Sequence, residues 1–318
     1  MPTAVQPAAM QSPPQPLIRF AWFVLAYNVL VILWGALVRA TGSGAGCGNH
    51  WPLCNGQVIP QSPQIATIIE FTHRAMTGGT IFLIIGLLVW TFRATPRGHL
   101  ARIAAVASTV LLINEAFLGA LLVKLGYVVN DQSPGRFIVL PIHLANTLLL
   151  LAALTLTAGF LARNLQRRNL RVDRSLLVMA LLGLAASILV GVSGSLAALG
   201  DTLFPSTSLS AAMAQDFAAS SNWLIRLRWI HPASAFVAGA FVQLLIVRSL
   251  LRPLPKYVRT LAITTGALLL SQIAIGFADV LLLAPTWMQI VHLLGADLYW
   301  IALVLLSSAT AFPLEAER

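Results

Sequence analysis

Four histidines, His73, His143, His231 and His292, stand at matched places in four long apolar segments. Ionisable side chains inside membrane helices are costly, and by default they mark function. Neutral imidazole is an ordinary axial ligand of heme iron. Helix bundles build cofactor sites from side chains on facing helices. Four histidines at one depth therefore point to two pairs of axial ligands and two hemes. The competing reading is one polar histidine per bundle bonding a neighbouring helix, and the matched recurrence argues against it. Zinc or copper is disfavoured because no Cys, Asp or Glu cluster accompanies either pair. His50 and His99 fall in connecting loops and are assigned no role.

The elements that must carry these residues are membrane helices. Of the 318 residues 58% are hydrophobic and only 9% charged, and the mean hydropathy is +0.83. A soluble domain would carry about 25% charged residues. The net charge of +10 is therefore read as a property of cytoplasmic loops, and nucleic acid is not an expected partner. Apolar runs of about 20 residues or more span a bilayer. Eight are legible: 18–39, 66–92, 100–123, 137–161, 175–199, 224–249, 256–281 and 286–311. Residues 1–16, rich in Pro and Gln, are expected to form a disordered tail without the marks of a signal or transit peptide. With both termini inside, 14 of the 20 Lys and Arg residues fall on inner segments, as the positive-inside rule requires. Every even-numbered span then runs outside to inside. Each histidine lies six or seven residues past its segment start, about 10 Å below the outer boundary.

The chain repeats itself. His73 and His231 are 158 residues apart, Glu115 and Gln272 157, Gly35 and Gly191 156, and His143 and His292 149. The expected fold class is an all-α integral membrane protein with eight transmembrane helices, forming two pseudo-symmetric four-helix bundles with both termini cytoplasmic. The N-terminal bundle takes residues 17–165 and the C-terminal bundle 166–318. Halves duplicated in parallel are related by an axis along the membrane normal.

The repeat breaks beside the histidines. The first half reads Glu70-Phe-Thr-His73 and the second Arg228-Trp-Ile-His231. Residues three apart share a helix face. A carboxylate suits proton transfer, and a guanidinium suits a heme propionate, which it grips bidentately. The competing readings are a helix-start acid favoured by the macrodipole for Glu70 and interfacial arginines for Arg226 and Arg228. The asymmetry makes the first bundle the candidate reaction site and the second an electron-carrying site. Arg39 and Arg74, near the outer end, are further propionate-contact candidates or headgroup contacts. Asn114, Asn146, Asp279 and Asp297 are candidate inter-helix hydrogen-bond partners. Gly86, Gly119, Gly183, Gly191, Gly266 and Gly276 are read as close-packing positions. The only cysteines, Cys47 and Cys54, share the first outer loop, where an oxidising exterior permits a disulfide. A loop staple and a redox-active pair both remain open.

Several stretches together resemble heme A synthase: Leu37-Val-Arg-Ala-Thr-Gly-Ser-Gly-Ala-Gly-Cys47, Trp51-Pro-Leu-Cys-Asn-Gly-Gln57, Glu70-Phe-Thr-His-Arg74, His143-Leu144, Gly200-Asp-Thr-Leu-Phe-Pro205, His231-Pro232 and Val291-His292. The resemblance covers all eight spans. It implies an oxidoreductase that converts heme O to heme A, oxidising the C8 methyl through a hydroxymethyl stage to a formyl group, for use by terminal oxidases. It implies that His231 and His292 ligate a heme b cofactor, and that His73 and His143 ligate the substrate heme. It makes Glu70 the catalytic acid residue and Cys47–Cys54 the outer-loop cysteine pair. It places the chain in a bacterial cytoplasmic (inner) membrane with its heme sites near the outer, periplasmic side. Implied or inferred partners are heme O, heme O synthase (the protoheme farnesyltransferase), oxidase assembly factors, membrane lipid and a second copy of the chain. Two departures stand out. The loop 200–223 lacks the second cysteine pair of some relatives, and Asn114-Glu115 stands where Gln is expected.

Two other functions fit four membrane histidines. A di-heme b electron carrier usually places hemes near both faces, whereas here all four lie near one. A heme transporter or chaperone would favour a Trp-rich outer platform, whereas Trp51 is the only Trp in the first outer loop.

Overall fold

The computed structural model describes residues 12–167, 170–252 and 255–313, and within them every regular element is helical. The helices are α1 (Gln15–Ala40), α2 (Ile65–Ala94), α3 (Leu100–Lys124), α4 (Pro134–Ala162), α5 (Arg174–Leu203), α6 (Leu209–Phe217), α7 (Trp223–Arg226), α8 (Ile230–Leu250), α9 (Lys256–Leu281) and α10 (Thr286–Ala311). Eight stretches of 25 to 30 residues are apolar and long enough to span, the sixth being α7 and α8 together, Trp223–Leu250. At about 1.5 Å per residue each exceeds a hydrocarbon core of about 30 Å. The chain is a multi-pass membrane protein.

Prolines punctuate the starts. Pro16, Pro134, Pro255 and Pro285 lie at or just before the first turns of α1, α4, α9 and α10, where a missing N–H is harmless. Asp173 caps α5 by accepting from the Leu176 N–H at 3.0 Å. His99 caps α3 by accepting from the Ala101 N–H at 3.2 Å, a role the sequence did not suggest.

The helices pack in two sets of four. In one, α1 contacts α2 and α4, α2 contacts α3, and α3 contacts α4. In the other, α5 contacts α8 and α10, α8 contacts α9, and α9 contacts α10. Helices α1, α4, α5 and α10 also pack across the divide. There Leu148, Leu151 and Leu154 of α4 are buried in one core with Leu303 and Leu306 of α10, and the Trp300 indole donates to the Leu148 carbonyl at 2.8 Å. Large apolar side chains such as Phe82, Val237 and Leu251 stay exposed on the outer flanks. Facing lipid, they need no protein cover.

Basic residues tie the connections at one end of the bundle. Arg163 donates to the Ser308 and Phe312 carbonyls at 3.3 and 2.8 Å, satisfying the open end of α10. Arg252 pairs with Asp173, whose N–H reaches the Ala311 carbonyl at 3.1 Å. Arg168 and Arg318 lie outside the described residues, as does most of the expected tail 1–16. Gln15 and Pro16 of that tail belong to α1.

The spans match expectation to within a few residues at their ends, with one qualitative difference. The sixth is broken: α7 ends at Arg226, Leu227–Trp229 form a tight turn, and α8 begins at Ile230. His231 is thus the second residue of α8, whereas His73, His143 and His292 lie well inside their helices.

Candidate functional site

Each of the four histidines packs on a glycine of the preceding span. A Cβ added to Gly35 of α1 would lie 3.0 Å from the His73 ring, and one on Gly194 of α5 2.8 Å from His231. The corresponding distances are 3.7 Å for Gly119 and His143 and 3.2 Å for Gly276 and His292. The one at Gly194 would force the ring to move, those at Gly35 and Gly276 would press the ring by a few tenths of an ångström, and that at Gly119 would be an ordinary contact. The glycine equivalent to Gly35 is therefore Gly194, not Gly191, which packs on Leu148 of α4. Glycine fixes how deep each ring lies between its helices.

The rings pair. His231 and His292 have centroids 6.3 Å apart with planes at 81°. Two metal–nitrogen bonds of about 2 Å, plus the distance from each ring centre to its nitrogen, sum to about 6 Å. The spacing suits two imidazoles sharing one iron. The His231 Nδ1 lies 3.2 Å from the Val190 carbonyl and 3.3 Å from the Ser193 hydroxyl. A carbonyl only accepts, so Nδ1 holds the proton and Nε2 keeps its lone pair for a metal. In the other set, the His143 Nδ1 lies 3.4 Å from Glu115 Oε1, and neither it nor the His73 Nδ1, both buried, makes a hydrogen bond. Among the described residues no three His, Cys, Asp or Glu side chains converge. A zinc site would want four ligands, while an axial pair needs only two imidazoles.

Glu70, one turn before His73 in α2, is buried and fully engaged. Its Oε2 accepts from the Cys47 N–H at 2.8 Å. Its Oε1 accepts from Arg74 Nε at 3.1 Å and pairs with Arg74 Nη2. Arg74 Nη1 then donates to the His50 and Leu53 carbonyls at 2.5 and 2.6 Å. Thr67 donates to the Gly46 carbonyl at 2.8 Å. Cys47 and Cys54 form a disulfide. Glu70 and Arg74 thus clamp a cross-linked loop over the N-terminal part of α2, one turn from His73. The sequence reading found these residues without foreseeing that they touch.

The second set has opposite charges at the matching place. Arg228 Nη1 lies 3.2 Å from Asp201 and Nε 3.8 Å from Asp216, and Nη2 donates to the Phe204 carbonyl at 3.1 Å. Burial pushes the Asp216 carboxyl above the usual carboxylate range, with Arg228 opposing the shift. Arg226 donates to the Ala219 carbonyl. Arg39, though carried by α1, reaches the second set. It donates to the Ala198 carbonyl at 2.9 Å, the Thr202 hydroxyl at 2.8 Å and Gln289 Oε1 at 2.7 Å. All four arginines thus have protein acceptors. Sequence reasoning had no signal for Asp201, Asp216 or Gln289 as their partners, since each is distant in sequence.

A family model described as cytochrome oxidase assembly protein, COX15-CtaA, matches residues 18–304. The chain is 44% identical over 291 residues to a protoheme IX farnesyltransferase of Thermus thermophilus, a match that covers 91% of this chain and 48% of that protein. It is 41% identical over 128 residues to a heme A synthase of Alkalihalophilus pseudofirmus, 40% of either chain. It is 45% identical over 105 residues to a heme A synthase of Shouchella clausii, 33% of either chain. The chain spans less than half the length of these curated relatives. The match runs over nearly all of the apolar spans, and the chain belongs to the COX15-CtaA family of cytochrome oxidase assembly proteins.

Proposed function

We propose that this protein is a heme A synthase, an oxidoreductase that converts the C8 methyl of heme O to the formyl group of heme A for terminal oxidases. The observation that carries the reading is the recurrence of a histidine on a glycine cradle in four spans, in two pairs. Similarity to heme A synthases supports it. The two sets of helices are read as pseudo-symmetric bundles, 17–165 and 166–318, with both termini cytoplasmic and the histidines toward the outer face of a bacterial inner membrane.

His73 and His143 hold the substrate heme, and His231 and His292 hold heme b, which supplies one-electron redox chemistry when bound. Val190 and Ser193 orient His231, and Gly194 and Gly276 set the gap between its ring and that of His292. Glu70 lies one turn from His73, held by Arg74 and the Cys47 N–H. It is placed to accept protons released as the methyl is oxidised, while the disulfide loop above it keeps bulk water off the site. Arg39 and Arg228, half-buried at the second set, are the stronger candidates for the heme b propionates. Arg74 and Arg226 are committed to loop carbonyls.

The Thermus thermophilus relative is named a farnesyltransferase, and this chain matches under half of it. That architecture favours a working partnership between this protein and an enzyme that makes heme O, a substrate too apolar to cross water. Oxidase assembly factors, lipid and a second copy of the chain are further partners.

Extraction and identification of the pigments of the purified protein test the proposal. Heme b together with heme O or heme A is the expected result. Two equivalents of heme b, with no formyl product in cells, would favour a di-heme carrier instead. Glu70→Gln keeps an acceptor for the Cys47 N–H. It should retain heme and stop oxidation, whereas loss of heme would make Glu70 a structural residue.

A further inference from the structure

Glu115 of α3 and Gln272 of α9 are 157 residues apart, as are Gly119 and Gly276, the glycines beneath His143 and His292. Both side chains reach the same ring atom of the matched histidines. Glu115 Oε1 lies 3.4 Å from the His143 Nδ1, within ion-pair range, and that nitrogen has no hydrogen-bond partner. The Gln272 amide lies 3.3 Å from the His292 Nδ1; turned so that its oxygen accepts from the Ala296 N–H at 3.1 Å, its nitrogen donates to that Nδ1 and to the His292 carbonyl at 3.1 Å. A His292 that ligates through Nε2 instead needs the amide oxygen at Nδ1 as the acceptor. The first set therefore presents a carboxylate where the second presents an amide.

The carboxylate is firmly built in. Asn146 Nδ2 donates to Glu115 Oε2 at 2.5 Å and to the Leu111 carbonyl at 3.0 Å. Asn146 Oδ1 in turn accepts from Asn114 at 2.8 Å. The Thr147 hydroxyl donates to Glu115 Oε1. Asn146 and Thr147 both donate to Glu115, which leaves it the role of acceptor toward the imidazole. Asn114, Glu115, Asn146 and Thr147 form one network whose exposed purpose is the far side of the His143 ring.

We infer that Glu115 is a positioning residue for His143. When the ring ligates, the 3.4 Å contact closes to a hydrogen bond in which Glu115 accepts from Nδ1–H, leaving Nε2 for the iron and raising the donor strength of that ring above what an amide oxygen of Gln272 gives His292. A carboxylate behind a ligating histidine fixes its tautomer and increases its basicity. Hydrogen bonding around an axial ligand is one of the levers that set a heme potential. A stronger donor stabilises the oxidised iron, so the first site is biased toward oxidised heme by a group that the second site lacks. The inference rests on the reading of His143 and His292 as heme ligands.

The test uses the full chain loaded with heme b at both sites, with each heme's potential measured by spectroelectrochemistry. A His143→Ala sample identifies which signal belongs to the first site. Glu115→Gln should shift the first heme about tenfold toward the reduced form, about 59 mV for a one-electron couple, and leave the second unmoved. Gln272→Glu should shift the second heme in the opposite sense, and Glu115→Asp should restore part of the first shift. Unchanged potentials in Glu115→Gln, with both hemes still six-coordinate and low-spin, would overturn the inference and leave the ligand reading standing. If Glu115→Gln does not hold the first heme, Gln272→Glu decides alone, and an unmoved second potential overturns the inference. The ligand reading fails separately if His143→Ala keeps both hemes low-spin.

Discussion

The two histidine sites share their floor and differ in their walls. In both, a glycine of one helix receives a histidine of the next, and the second site puts its rings 6.3 Å apart. Around the first stand two acids, Glu70 and Glu115, and a cross-linked loop. Around the second stand Arg228, compensated by Asp201 and Asp216, and the neutral Gln272. Residues that seat a ring are kept because the ring's volume and depth are the same at both places. Residues that set charge are free to differ, and on the proposed function charge would separate a site that changes its heme from one that only uses it. The difference between the sites lies one contact away from the histidines.

That comparison can be broken most forcefully at the histidines. Replacing His231 or His292 by Ala should remove heme b and leave the first site's pigment, and replacing His73 or His143 should do the reverse. Next come the cradles. Gly194→Ala puts a methyl 2.8 Å from the His231 ring, while Gly119→Ala puts one 3.7 Å from His143. The first should cost about 1–3 kcal/mol of fit and most of the second-site heme, and the second close to nothing, read by heme absorbance per protein. A Cys47→Ser, Cys54→Ser double variant loosens only the first site. Opening a loop of this length removes about 2 kcal/mol, measurable as faster proteolysis in loop 47–54, with second-site heme unchanged.

The smallest effect should come from Asp173, at the opposite end of the protein from both sites. The Leu176 N–H, with Arg252 and the Ser175 N–H adding to it, holds its carboxyl below the usual range. A depressed folded value means that the contribution is present above the unfolded value near 3.8 and is lost as pH falls through the folded one. Asp173→Asn should therefore shift thermal stability slightly at neutral pH and progressively less as the pH falls below 3.8, and it should leave both hemes in place.

Spans and histidines were legible because hydropathy and rarity are properties of single segments. All eight spans and the facing of His231 toward His292 followed from them. The break between α7 and α8 was missed although Arg226, Arg228 and Pro232, the last in the first turn of α8, mark it, because the span as a whole stays apolar enough to read as one helix. Gly191 was matched to Gly35 on offset alone. Matching the glycine-to-histidine spacing instead would have selected Gly194, 37 residues before His231 against 38 for Gly35 and His73. The reach of Arg39 across to Gln289, the Cys47 contact with Glu70 and the Glu115 contact with His143 depend on how helices pack, and segment periodicity carries no record of that.

The central claim is that one pair of histidines holds the heme that is changed and the other the heme that assists. Pigment extraction from membranes carrying His143→Ala and, separately, His292→Ala tests it most directly. The account predicts heme b without heme O or A in the first and loss of heme b in the second. The same mixture of pigments lost from both variants would contradict it.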